Sequence, residues 1–300
     1  MTQVSRATAD REFASIDEAN AFLETIMVSG QATRTYGPAP ATAAEQAQEL
    51  VYDAWEVEGP GRVDLAHKAL ALWSDCADAY VILAEETAAT PDEALALYER
   101  GVAAGERALG PGSVERIAPN FWSALETRPY MRARAGIMYT LRELERRAEA
   151  LAHGRELLRL CENDNLGVRY SVLAWSIEEG ELDEALALVR RYRDDPSAPW
   201  LYGRALALYA RSGSTATSRR AMKAAFAANR YVPLVMLGVL EAPEALPANV
   251  GFGDPDEAFW CDEVLSDAWF MVDGAVLWMA RRVMADFDES KPAKKAHKRR

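Results

Sequence analysis

The chain predicts an all-α fold, an α–α superhelix in which degenerate helix pairs stack along one axis. Three observations carry this reading. The signature Asp92-Glu93-Ala94-Leu95-Ala96-Leu97 recurs as Asp183-Glu184-Ala185-Leu186-Ala187-Leu188, with a weaker copy, Ala148-Glu149-Ala150-Leu151-Ala152, between them. The step from Ala150 to Ala185 is 35 residues, close to the length of one helix–turn–helix repeat. No stretch reads as a central strand, because the apolar run from Val232 to Val239 contains Pro233 and Gly238.

The bulk numbers agree with a stack. Three hundred residues would suit two ordinary domains, but a repeat array can grow by adding units that touch only their neighbours. Half of the residues are hydrophobic, enough to bury a long core despite a net charge of -12. That charge is unevenly spread. The last ten residues hold six Lys or Arg and no acid, so the remainder carries 28 basic and 46 acidic side chains. Such a body repels nucleic acid and anionic membrane. Cys76, Cys161 and Cys261 form no C-x-x-C pair, which points to a reducing, cytoplasmic setting with neither disulfides nor zinc. The first twenty residues are too charged for a signal peptide, and Val264 to Ala280 is too short and too charged to span a bilayer.

The elements follow in order. Ser15, Asp17 and Glu18 precede Ala19, Phe22, Leu23 and Ile26, a helix start followed by an apolar stripe. Tyr36-Gly37-Pro38-Ala39-Pro40 then stops any helix, so residues 1–40 read as a helical arm and linker. Residues 41–285 read as the repeat array. The step from Ala94 to Ala150 is 56, one period plus an insertion of about 22, placed at Gly105 to Thr127 where Gly110-Pro111-Gly112 and Ala118-Pro119-Asn120 break the pattern. Gly180 supplies a turn between paired helices. Ala84, Ala94, Ala150 and Ala185 are small enough to let helices cross closely, while Leu83, Leu97, Ile137, Leu151, Val172 and Leu188 fill the space around them. Pro255 to Ala285, rich in Phe and Trp, has the bulk of a closing helical pair, and residues 286–300 read as a disordered basic tail.

The region from Ala41 to Asn229 resembles the tetratricopeptide repeat superfamily. More narrowly, Asp75-Cys76-Ala77-Asp78-Ala79-Tyr80-Val81-Ile82-Leu83-Ala84-Glu85-Glu86, with the helix at Glu93 to Gly105, resembles the suppressor-of-tumorigenicity-seven family and bacterial repeat proteins of similar length. The segments Arg128 to Gly136 and Phe13 to Asn20 share in that likeness. The resemblance implies a helical fold and no catalytic residues. Its eukaryotic members are associated with membranes, for which this chain shows no spanning segment.

The chemistry-bearing residues favour the same answer. Glu85-Glu86, Glu178-Glu179 and Asp194-Asp195 are adjacent on helices, so their carboxylates diverge and cannot share acid–base work. His153 and Cys161 stand roughly 12 Å apart along one helix. Gly251-Phe252-Gly253-Asp254 lacks both the strand and the third glycine of a dinucleotide loop. No enzyme activity, cofactor or metal is expected. The pattern that remains is cationic and aromatic: Arg128, Arg132, Tyr139 and Arg142, then Arg169 and Tyr170, then Trp200 and Arg204. In the superfamily that the chain resembles, the first helices of successive pairs line a concave groove. Arginines and rings there would suit an acidic or carboxylate-ended peptide. The expected function is therefore a non-enzymatic adaptor or scaffold that binds another protein. The alternatives are a structural subunit that self-associates through its Trp-rich end, or a nucleic-acid role confined to the basic tail.

Overall fold

The computed structural model describes residues 15–18, 20–22, 42–241 and 250–289, with side chains as far as Met284. Most of the N-terminal arm and residues 290–300 of the expected basic tail lie outside the described residues, whereas residues 286–289, expected as the start of a disordered tail, continue the last helix. Residues 16–18 and 20–22 are helical, and Ser15 Oγ accepts a hydrogen bond from Glu18 N at 3.2 Å. The described residues contain no strand, only an isolated antiparallel bridge between Asn120 and Cys161. The chain divides into two compact units, Met1–Asn165 and Leu166–Arg300.

The first unit holds α1 (Ala43–Trp55), α2 (Pro60–Leu72), α3 (Ala77–Thr87), α4 (Pro91–Leu109), the short α5 (Ser113–Ile117), two 3-10 turns, α6 (Arg128–Glu143) and α7 (Arg147–Leu160). α1 packs on α2, α3 on α4 and α6 on α7, so three helix pairs are stacked. Sequence explains the starts. Thr42 and Glu45 form a reciprocal capping box at α1, and Thr90 caps α4 ahead of Pro91. The recurring acidic dipeptide falls in the first turn of second helices, where carboxylates meet the positive end of the helix dipole.

Glycine lets the helices of this unit approach most closely. A Cβ at Gly136 would overlap the Tyr98 ring, and one at Gly105 would lie 2.9 Å from Tyr130 Cβ. Gly105 is thus part of α4, and the insertion begins only at Gly110. Its residues are anchored rather than loose. Thr127 Oγ1 donates to the carbonyls of Phe121 and Ala124, the buried Phe121 ring meets Tyr130 edge-on, and Glu162 N donates to Pro119 O at 3.0 Å.

The second unit holds α8 (Arg169–Glu178), α9 (Leu182–Arg191), α10 (Ala198–Ser212), α11 (Ala216–Ala228), the short α12 (Val232–Met236), α13 (Pro255–Met271) and α14 (Ala275–Glu289). α8 pairs with α9 and α10 with α11. α13 packs along both α8 and α10 as well as against α12. A Cβ at Gly203 of α10 would meet Leu173 of α8 at 2.7 Å and Leu265 of α13 at 3.6 Å, so three helices converge there. Turns within pairs repeat the period: Glu145, Gly180 and Gly213 all have positive φ and stand 35 and 33 residues apart.

Candidate functional site

In the first unit, Arg128, Arg132, Tyr139 and Arg142 fall on one stripe of α6, their spacings of four, seven and three matching successive helical turns. The opposite face of α6, with Tyr130, Met131, Ala133, Ile137, Met138 and Leu141, is buried. The Arg128 guanidinium lies 5.0 Å from the Trp122 ring, and its Nε donates to Trp122 O at 3.1 Å. Tyr139 is 47% exposed.

Arg132 is held from below. Its Nε and Nη2 donate to the two oxygens of Asp78 at 2.7 and 2.6 Å, a bidentate pair whose carboxylate is wholly buried. Gln48 Nε2 adds a third donor to Asp78 at 3.0 Å, and the Trp55 ring lies 4.9 Å from the Arg132 guanidinium. Tyr52 stacks obliquely near Trp55 at 5.7 Å. Burial, aided by the Asp78 charge, raises the Tyr52 pKa, so its hydroxyl stays protonated and can donate. Asp78, Gln48, Tyr52 and Trp55 were not among the expected site residues. The signal for Asp78 was present: it is the one charge in the apolar run Ala77 to Ala84, and a buried carboxylate requires a partner.

The second unit gathers Arg169, Tyr170 and Trp200. Arg169 and the Tyr170 hydroxyl both reach Asp195 Oδ2, at 2.7 to 2.9 Å, and Ser197 donates to Asp195 Oδ1 through Oγ and N. Burial opposes ionisation of Asp195, but the hydrogen bonds from Ser197, Arg169 and Tyr170 outweigh it and leave the carboxyl below its ordinary pKa. Trp200 is 1% exposed, so it packs inside rather than presenting a contact surface. Arg204, one turn further along α10, is exposed.

This cluster is covered by α13. Trp260 meets Tyr170 edge-on at 4.9 Å, and the buried Glu257 accepts from Ala198 N, Asn229 Nδ2 and Gly253 N at 2.7 to 2.9 Å. Its carboxylate therefore caps the start of α10, as a bound acid would. The eight expected residues thus form two groups in different units: a stripe on α6 of which Tyr139 is exposed and the three arginines half-buried, and a cluster of Arg169, Tyr170 and Trp200 beneath α13 with Arg204 exposed beyond it.

Several groups that could suggest catalysis are placed as structure. Burial pushes the Cys76 thiol up to about 12 and the Cys261 thiol well above its usual value, so neither is a ready thiolate. Among the described residues no cluster of His, Cys, Asp and Glu is arranged to hold a metal, and no helix is long and apolar enough to cross a membrane.

Stacked antiparallel helix pairs with a recurring turn every 33 to 35 residues define a helical-repeat protein. Within that class the chain belongs to the ST7 protein family, whose model matches residues 15–198. Suppressor of tumorigenicity 7 protein-like from Bos taurus, Mus musculus and Homo sapiens are each 36% identical over 80 residues. That match covers 26% of this chain and only 14% of each relative. Among solved structures, YrrB, described as a TPR protein with an unusual peptide-binding site, is similar at 19% identity and a TM-score of 0.41, over 69% of this chain and 91% of that one. The fold assignment rests on the helix pairs themselves and not on that likeness.

Proposed function

We propose that this protein is a non-enzymatic adaptor that holds an acidic segment of a partner protein along the α6 stripe of its first unit. The observation that carries the reading is the alignment of Arg128, Arg132, Tyr139 and Arg142 on one face, with Tyr139 exposed and Arg132 fixed by Asp78. A guanidinium held in place by a buried carboxylate loses less side-chain entropy on binding than a mobile one. Arg128, braced on Trp122, offers its remaining donors to a carboxylate. Of the second unit's residues, exposed Arg204 is open to a partner, whereas Trp200 is buried and Arg169 and Tyr170 are engaged with Asp195. A cytoplasmic setting fits the three unpaired, buried thiols.

The test is fluorescence anisotropy with a labelled oligoglutamate peptide ending in a free carboxylate. Binding should weaken by about tenfold or more in the Arg128→Glu, Tyr139→Ala double variant while its thermal unfolding stays unchanged. Unaltered binding by that variant refutes the reading. Arg132 is unsuitable for this purpose, because reversing its charge against buried Asp78 would unfold the unit as well.

A second reading, self-association, is favoured by exposed Phe270, Met271, Leu277 and Met284 near the ends of α13 and α14. Light scattering across a concentration series separates the two. A mass that stays monomeric at all concentrations removes the structural-subunit reading.

A further inference from the structure

Charge in the second unit is sorted into blocks. Residues 196–240 hold six Arg or Lys and no acid, and residues 241–280 hold nine Asp or Glu and no Arg, Lys or His. The two blocks fall on different helices: the first supplies α10 and α11, the second α13. Arg204, Arg211, Arg219, Arg220, Lys223 and Arg230 are all exposed. Elsewhere in the chain an arginine meets an acid on its own helix, as Arg159 meets Glu156. Of these six, only Arg211 has a carboxylate partner among the described residues, Asp183 at 2.6 Å.

Each block forms a face. On α11, Ser218, Ala221, Met222 and Ala225 turn inward, while Arg219, Arg220 and Lys223 stand three and four residues apart on the outer side. The side chains that share this outer side, Ala216 and Ala227, are short. On α13, Asp256, Glu263 and Asp267 follow one stripe, seven and four residues apart, and the last two are exposed. Phe270 continues that stripe at 64% exposure. Like charges at such spacings repel one another. Burial, and after it the Asp267 charge, push the Asp262 carboxyl of α13 above its usual range. Neither face is neutralised within the chain, since Arg219, Arg220, Lys223, Glu263 and Asp267 have no ion-pair partner among the described residues.

A polyanion such as nucleic acid would satisfy α11 and be repelled by α13 and by the acidic remainder of the chain. A second copy satisfies both faces at once. We infer that copies of this chain associate head to tail, the basic α11 face of one against the acidic α13 face of the next. The two faces differ, so the contact is heterologous and leaves one free face of each kind at the ends of an assembly. This inference rests on the self-association reading and gives it a surface. It is independent of the adaptor reading, whose stripe lies in the other unit.

Light scattering on the whole chain over a concentration series tests the inference, in about 0.01 M and about 1 M salt, where charges are felt to about 30 Å and about 3 Å. A mass above one chain should appear at low salt and return to one chain at high salt, a result that needs no variant. Arg220→Glu with Lys223→Glu, or Glu263→Lys with Asp267→Lys, should each weaken the association at least about tenfold with an unchanged circular dichroism spectrum. Mixing the two variants should restore it, because each then offers the face that the other lacks. A single chain under all conditions overturns the inference together with self-association. Association that persists in about 1 M salt and ignores both charge reversals overturns the inference alone, leaving an apolar contact through Phe270 and Met271. Loss in both variants without recovery on mixing overturns the pairing of these two faces.

Discussion

The two units start from one plan, first and second helices alternating, and they treat their first helices in opposite ways. In the first unit, α1, α3 and α6 share a polar arrangement: Gln48 and Arg132 converge on Asp78, and Arg132 lies over Trp55. In the second, α8 and α10 carry Tyr170, Trp200 and Gly203, and α13 lies along them with Trp260 and Glu257 as its contacts. The difference teaches how a repeat surface becomes available or unavailable. A hydrogen-bonded ion pair with one partly exposed member tolerates water, so its surface can stay open. A cluster of large rings does not, and here a helix of the same chain covers it.

The strongest way to break this comparison is to loosen the cover. Glu257→Ala removes the acceptor of the buried Ala198 N–H and of the half-buried Gly253 N–H, and leaves the buried Asn229 amide with Asp254 O alone. The second unit should lose about 4 kcal/mol in chemical denaturation, followed through the tryptophan fluorescence of α13. A loss below about 1 kcal/mol would mean that Glu257 does not fasten α13. The counterpart in the first unit is Asp78→Asn, which keeps the shape and removes the charge. Because Arg132 is partly exposed and can regain water, the expected loss is smaller, about 2 kcal/mol. Equal losses from the two substitutions would erase the distinction between a buried fastening and a half-open one.

Particular residues show how far this was legible in the sequence. The acidic dipeptide ahead of Ala-Leu-x-Leu marked the second helices correctly, since Ala150 and Ala185 are fully buried and Leu95 and Leu188 nearly so. The period reflects a local turn that recurs, and local geometry leaves a trace in sequence. The four residues on α6 were visible as a stripe for the same reason. What α13 covers was not visible. Its buried Ala258, Cys261, Leu265, Ala268 and Trp269 announce one apolar face, but a helical pattern does not say which neighbour receives it. The pairing of Asp78 with Arg132, 54 residues apart, is hidden in the same way.

The close crossings were only half legible, because alanines were expected where glycines make the tighter contacts. Gly136→Ala puts a methyl into the Tyr98 ring and should cost about 2 kcal/mol. Gly203→Ala meets the flexible end of Leu173 and should cost about 1 kcal/mol. Differential scanning calorimetry would rank the two, and a reversed order would show that the second unit is the more tightly packed at its crossing.

The smallest effect concerns the turn that both units share. Gly180 in the second unit adopts φ 72 at no steric cost, whereas Glu145, 35 residues earlier, adopts φ 59 with a side chain attached. Both turns are closed alike, by Arg146 N to Leu141 O at 2.9 Å and by Glu181 N to Ser176 O at 2.8 Å. A left-handed conformation costs a side-chain-bearing residue about 1–2 kcal/mol, and glycine gives back part of that through its freer unfolded state. The exposed ion pair between Glu145 and Arg147 adds little. Glu145→Gly should therefore stabilise the first unit by about 0.5–1 kcal/mol, and Gly180→Ala should destabilise the second by a similar amount. Urea denaturation measures both. If Glu145→Gly instead destabilises, the side chain at that turn is held by something more than its exposed partner, and the equivalence of the two turns is broken.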